Sequence, residues 1–250
     1  MDALHIVDLF GAIADDVRTA IGALEDWGPS GRRAGQYNVD LAADEVVLQR
    51  LRAEGFGVLS EESGLTDPDR PILVVVDPID GSTNAAAGLP WFATSLCALD
   101  EDGPLAARVV NLATGDDWQA IRGEGATRNG HQIEPSSTAD LSESLVAVSG
   151  LPHEHFGWAQ FRCYGAAALD ICSVADGSFD GFVDLSVDAH GVWDYVGALL
   201  VLREAGGTIV DWHDRDLVTR DHAERRTPIA ANSEALLVQL RDSAAGQHDA

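Results

Sequence analysis

The sequence contains no lysine: all 16 of its basic residues are arginine. Against them stand 41 acidic residues, giving a formal net charge of -25 at pH 7 and a pI near 4.3. A chain so short of positive charge is a poor partner for nucleic acid or for an anionic membrane surface. The plainest source of the bias is a GC-rich genome or a salty habitat. Cysteine is scarce too. Cys97, Cys163 and Cys172 are isolated, odd in number and free of CxxC spacing, which excludes a disulfide framework and a zinc site. All three are expected to be small buried apolar residues. No uninterrupted apolar run reaches membrane-spanning length, and Met1 to His5 lack a basic stretch leading into an apolar one. The expectation is a soluble, cytoplasmic protein with no membrane partner. Also missing are repeats, low-complexity tracts, an interdomain linker and the Gly-x-Ser-x-Gly elbow of serine hydrolases.

What is present suits a globular chain, since 46% of the 250 residues are hydrophobic and the length is ample for a sizeable core. Leu4, Val7, Phe10, Ala14, Val17 and Ile21 recur at helical spacing and predict a first helix ending between Gly22 and Gly28. A second helix is predicted over Asp40 to Ala53, with Gly55 as its stop. Phe56 to Leu59 and Ile72 to Val76 read as buried strands, each running into an acidic motif. From Trp91 to Ile133, strand-like runs alternate with turn formers such as Asn129-Gly130, which suits antiparallel sheet. After Leu145 strands and helices alternate: helices over Ala166 to Ala175 and Val192 to Ala205, strands at Phe179 to Val183, Thr208 to Val210 and Pro228 to Ala231. The expected class is α/β, with an α+β first half (1–140) and an alternating α/β second half (141–250) in one domain over 1–250.

Three carboxylate islands carry the chemistry. The strongest is Asp77-Pro78-Ile79-Asp80-Gly81-Ser82-Thr83, where oxygen ligands end a strand and backbone donors follow at once. Pro78 fixes a bend that lets Asp77 and Asp80 converge, and the Ile79 carbonyl adds a neutral ligand for a hard cation. Gly81, Ser82 and Thr83 can open a helix whose free N–H groups suit a phosphate. Glu61-Glu62-Ser63 and Trp193-Asp194 are unremarkable alone, a solvated acidic pair and a helix-favouring acid. In so acidic a protein, bound cations are the natural source of the positive charge that a phosphate ester needs. Gly123-x-Gly125 is no dinucleotide loop, because a tight Asn-Gly turn follows it instead of a helix; His153, His155 and His190 read as loop or structural histidines. Asp77 and Asp80 also lack the Asp-x-Asp spacing of aspartyl-phosphate phosphatases.

Taken together and in this order, the islands resemble the signatures of the inositol monophosphatase-like family of magnesium-dependent, lithium-sensitive phosphatases. The resemblance spans nearly the whole chain, with further landmarks at Gly123 to Ala126, Asn129-Gly130, Arg162 to Ala175 and Glu204 to Gly207. It implies a layered αβαβα sugar-phosphatase-type fold and a homodimer. It implies roughly two or three Mg2+ ions per site, one held by Glu61, Asp77 and the Ile79 carbonyl and another by Asp77, Asp80 and Asp194. Catalysis would fall to Glu61, Ser82 and Asp44, the last two orienting the attacking water. Phosphate would sit on Gly81, Ser82 and Thr83, and the organic part of the substrate against Gly165, Ala166 and Asp184. Inositol-1-phosphate or a related polyol phosphate ranks first as substrate. Fructose 1,6-bisphosphate, histidinol phosphate and 3'-phosphoadenosine 5'-phosphate are the alternatives. A regulatory binding protein on the same fold is the reading from a different class.

Overall fold

The computed structural model describes residues 2–248, so Met1, Asp249 and Ala250 of the expected 1–250 unit lie outside the described residues. The chain opens with two helices, α1 (Ala3–Gly22) and α2 (Asn38–Ala53). An eight-stranded sheet follows: β1 (Gly57–Ser60), β2 (Gly64–Thr66), β3 (Leu73–Asp80), β4 (Ala93–Asp100), β5 (Gly103–Asn111), β6 (Asp117–Ile121), β7 (Gly125–Arg128) and β8 (His131–Gln132). Its order is β2-β1-β3-β4-β5-β6-β7-β8, and only the β1–β3 pair is parallel. The Asn129-Gly130 turn that joins β7 to β8 places both residues at positive φ, as a tight hairpin requires. A short helix, α3 (Ser82–Ala87), interrupts the sheet directly after β3.

The second sheet has five strands: β9 (Leu145–Ser149), β10 (Gln160–Arg162), β11 (Gly181–Asp184), β12 (Thr208–Asp211) and β13 (Pro228–Ala231), ordered β10-β9-β11-β13-β12. Between and after them run α4 (Ala167–Ala175), α5 (Val196–Ala205) and α6 (Glu234–His248). Side-chain alternation along β3 explains the stacking of these parts. Val74 and Val76 point into a cluster with Ile6, Phe10 and Ile13 of α1 and Val47 and Leu51 of α2. Leu73 and Val75 point the other way, into a cluster with Leu169 and Ile171 of α4 and Leu199 and Val201 of α5. Phe182 and Ala230 of the second sheet close that cluster from the far side, while Val183 and Ile229 face Leu236 and Leu240 of α6. The result is five layers, αβαβα, with α4 and α5 buried between two sheets.

Two elements and one cysteine differ from their sequence-based expectation. The strand predicted over Ile72 to Val76 runs on to Asp80, because a bulge between Asp77 and Asp80 absorbs Pro78, whose carbonyl accepts from Thr94 Oγ1 at 2.8 Å. The helix predicted over Val192 to Ala205 is divided at Tyr195 (φ -136°) into a 3-10 turn, Val192–Asp194, and α5. Asp194 Oδ2 accepts the Gly191 N–H at 2.8 Å, closing the turn on itself. Cys163, expected inside, is exposed, whereas Cys97 and Cys172 are buried; all three are free thiols.

Candidate active site

The bulge in β3 decides the geometry of the site. Beside it β1 ends and Glu61 follows, its N–H donating to the Val76 carbonyl at 3.2 Å, so Glu61 leaves the sheet alongside Asp77. The 3-10 turn brings Asp194 in from the second half of the chain. One carboxylate oxygen each from Glu61, Asp77 and Asp194 then lies within 4.8 Å of the other two. Glu62 turns away: its carboxylate accepts from Arg33 at 3.0 Å and from Gln36 Nε2. The acidic pair thus divides between the site and the loop that precedes α2.

Burial, together with the charges of Asp194, Glu62, Asp40 and Asp80, pushes Glu61 up to about 8. Asp77 is held well above the usual carboxylate range by burial and by Glu61, Asp80 and Asp194, and Asp80 likewise by burial and Asp194. Carboxylates that raise one another in this way would be stabilised in their charged form by a cation placed between them. Their all-oxygen donor set suits a hard divalent ion of the magnesium or calcium type better than zinc. Asp80 stands slightly apart from the trio, since its Oδ2 accepts the Ala168 N–H at 2.7 Å at the start of α4. Ile79, between the two aspartates, donates its N–H to Asp77 Oδ1 at 3.0 Å, which locks the bulge.

The carboxylate facing Ser82 is Asp40 and not Asp44. Asp44 lies one helical turn on, with its Oδ1 accepting from Ser60 Oγ at 2.5 Å and Ser63 Oγ at 3.2 Å. Asp40 Oδ2 accepts the Tyr37 N–H at 2.7 Å, while its buried Oδ1 has no partner. Burial raises Asp40 to about 7, against the lowering effects of the Tyr37 N–H, Arg33 and the Ser82 hydroxyl. Ser82 and Thr83 begin α3, whose first internal bond runs from Ala85 N–H to the Gly81 carbonyl, so the N–H groups before it are not used by the helix. Gly81 takes φ +84°, and a Cβ there would lie 2.9 Å from the Trp91 carbonyl and 3.1 Å from Ala166 Cβ. Gly165 and Ala166 therefore pack directly on the turn that opens α3.

Asp184 is fully buried at the end of β11, with Oδ1 accepting the Ser186 N–H at 3.0 Å and Oδ2 without a hydrogen-bond partner, 3.7 Å from His190 Nε2. His190, expected to be structural or solvent-facing, occupies the place between Asp184 and the site: Nδ1 is 3.1 Å from Asp194 Oδ2 and Nε2 is 3.1 Å from Ser149 Oγ. Burial opposes its charge, yet the hydrogen bond and charge of Asp194, with Asp184 and Asp80, push it up to about 9. A histidine three or four positions before a site acid carries no periodic signal, and its partner Ser149 is 41 positions away.

The sequence profile described as the inositol monophosphatase family matches residues 30–245. The chain belongs to that family. Among family relatives, a fructose-1,6-bisphosphatase of Pyrococcus furiosus is 35% identical over 219 residues, covering 86% of this chain and 85% of its own. A fructose-1,6-bisphosphatase/inositol-1-monophosphatase of Archaeoglobus fulgidus is 32% identical over 244 residues, 93% of this chain and 95% of its own. The Nus factor SuhB of Escherichia coli is 33% identical over 193 residues, 70% and 71% of the two chains. Solved structures agree in fold: an inositol-1-monophosphatase-like protein of Pyrococcus horikoshii superposes with TM-score 0.84 at 26% identity, covering 95% and 98% of the chains. An extragenic suppressor of Pyrococcus furiosus gives 0.82 at 31% identity over 93% and 97%. Inositol monophosphatase family membership thus accounts for the layered fold and supports a phosphatase. It agrees with an acidic cluster able to bind metal.

Proposed function

We propose that the protein hydrolyses a small phosphate monoester of a polyol or sugar, with inositol-1-phosphate first and fructose 1,6-bisphosphate second, using Mg2+ held by Glu61, Asp77, Asp80 and Asp194. The convergence of Glu61, Asp77 and Asp194 oxygens within 4.8 Å carries this reading. Magnesium bound there supplies Lewis-acid stabilisation of the phosphoryl oxygens and a lowered pKa for a coordinated water. The chain's own part is to place and deprotonate. Asp40, with Oδ1 unpartnered, a pKa of about 7 and the Ser82 hydroxyl facing it, is suited to orient the attacking water and take its proton near neutral pH. The N–H groups at the start of α3, from Ser82 and Thr83, offer donors for the phosphate oxygens. Gly165 and Ala166, packed against that turn, wall the organic side.

The relative named for both activities, 32% identical over nearly the full length, is what keeps fructose 1,6-bisphosphate as the second substrate. The SuhB relatives favour a further reading, in which the fold serves mainly as a regulatory binding protein. Phosphate release from the two substrates, with histidinol phosphate and 3'-phosphoadenosine 5'-phosphate alongside, measured in Mg2+ and again in chelator, separates these readings. Metal-dependent turnover is expected, and it should fall at least about 100-fold in Asp194→Asn, since several kcal/mol of transition-state stabilisation are removed. No release from any of the four would sink the enzymatic reading. The same reading includes a homodimer, supported by the exposed Leu89, Leu151, Phe161 and Tyr164, and sedimentation as a monomer at assay concentration would remove that part.

A further inference from the structure

The loop of residues 219–226 belongs to neither sheet and carries none of the converging carboxylates, yet it is pinned at one end to the first sheet, remote from the carboxylates, and at the other to His190 beside them. Arg220 donates to the Asp100 carbonyl at 2.8 Å, at the end of β4 in the first sheet. Arg226 exchanges main-chain hydrogen bonds with His190, at 2.8 and 3.2 Å, beside the second. Between these anchors the His222 ring lies on the Trp193 indole, with centroids 4.6 Å apart and planes at 33°. Its Nε2 is 3.1 Å from the Glu61 carbonyl oxygen. A carbonyl only accepts, so this contact fixes the proton on Nε2. Trp193 is itself held: a Cβ on Gly191 would lie 2.4 Å from the indole, and the Arg225 guanidinium sits 5.0 Å from the ring centroid. One imidazole therefore joins the backbone of Glu61 to the side chain that precedes Asp194.

We propose that His222 is a positioning residue for the cation site, holding Glu61 and the Trp193–Asp194 turn at the spacing where their carboxylates converge. The Nε2–H to Glu61 carbonyl bond sets the spacing, and the indole stack orients the ring that makes it. The need for such a clamp lies in the topology. Glu61 follows β1 in the first sheet and Asp194 sits on the 3-10 turn between β11 and α5, and carboxylates this close disfavour each other's ionisation, so nothing within the pair itself fixes their spacing. This inference rests on the reading that these carboxylates hold a divalent cation. Groups that orient a ligating side chain directly typically govern metal affinity by about 10–100-fold, and an anchor on the ligand's main chain acts toward the lower end of that range.

The test is Mn2+ titration of the full chain, followed by electron paramagnetic resonance, in the wild type, His222→Phe, His222→Gln and Glu61→Gln. Phenylalanine keeps the stack and loses the donor, whereas glutamine keeps a donor long enough to reach the carbonyl. His222→Phe should weaken Mn2+ binding roughly 10-fold, and His222→Gln should stay close to wild type. The Mg2+ concentration for half-maximal phosphate release should shift in the same order, with kcat at saturating Mg2+ little changed. Melting of the two chelated variants should differ little, which separates positioning from a merely structural role. Wild-type Mn2+ affinity in His222→Phe, or equal losses in both variants, would overturn the proposal and leave the site reading intact. Equal, weak Mn2+ binding by wild type and Glu61→Gln would overturn the site reading, and this proposal with it. Should His222→Phe fail to fold, His222→Asn, too short to reach the carbonyl, replaces it with the same expected loss.

Discussion

Asp40 and Asp44 sit one helical turn apart on the same buried face of α2, and the structure gives them opposite tasks. Two serine hydroxyls hold Asp44 Oδ1, while Asp40 keeps a buried oxygen without a partner near Ser82. Asp40→Asn should therefore lower kcat by about 100-fold or more through loss of the proton acceptor, with melting little changed or raised. Asp44→Asn should instead cost about 1–3 kcal/mol of stability by disturbing buried hydrogen bonds, with kcat near wild type once folded. Steady-state kinetics paired with thermal melts distinguishes the two, and the reverse pattern would return the role to Asp44. His190→Ala leaves Asp184 buried without its neighbour and removes one of the two partners of Asp194 Oδ2, so apparent Mg2+ affinity should fall roughly 10-fold in an activity titration. These residues also mark where sequence reading ends. Both aspartates satisfy the same i, i+4 pattern, so periodicity does not choose between them. His222 meets Glu61 across 161 positions, a contact that no local pattern encodes.

At the scale of elements, the strand-then-acid junctions were legible because branched apolar runs stop where carboxylates begin. The continuation of β3 through Pro78 was not, since Asp and Pro are strand-poor residues tolerated here only by the bulge. Nor was the break at Tyr195, because Val192 to Leu202 is apolar except for Asp194, an acid that suits a helix's first turn as well as a break. What divides it is the Asp194 side chain turning back to Gly191. The turn from β3 into α3 depends on Gly81, where φ is +84° and a Cβ would meet the Trp91 carbonyl at 2.9 Å. Gly81→Ala should cost about 1–3 kcal/mol and displace the N–H groups of α3, raising KM for the phosphate ester as well as lowering the melting temperature. A variant with wild-type KM and melting would show that the turn is not constrained as described. Gly197 has a comparable place in α5, where a Cβ would lie 2.7 Å from Ser95 Oγ, so the central helix layer seats directly on the first sheet.

For the whole molecule the dominant fact is stored negative charge. In the cation-free protein, Glu61 is raised to about 8, Asp40 and Asp170 to about 7 and Asp184 to about 6, mainly by burial, while His190 is raised to about 9 by its carboxylate partners despite burial. Each of these groups holds its proton in the folded state above the pH at which the unfolded chain releases it. Their stabilising contribution is full below the ordinary values and is lost as pH rises through the raised ones. The aspartates lowered by arginine or serine partners, such as Asp116 and Asp214, act only as pH falls below the ordinary carboxylate range, so they do not oppose this trend. Melting temperature in chelator should therefore fall steadily between pH 6 and pH 9, and saturating Mg2+ should flatten the slope. Differential scanning calorimetry across that range checks both, and a rising apo curve would contradict the burial of these groups.

The division of the trio between the first sheet and the turn ahead of α5 has a consequence in time. Glu61 and Asp77 are in place once the first sheet forms, but Asp194 reaches them only when α4, α5 and the second sheet have docked. Assembly of the trio is then among the last events of folding, and its disruption among the first of unfolding. Divalent cations should slow unfolding in proportion to their occupancy while leaving the main refolding rate unchanged, as expected of contacts absent from the transition state. Stopped-flow measurements with and without Mg2+ read both rates. A cation that sped refolding would place the meeting of the halves early instead.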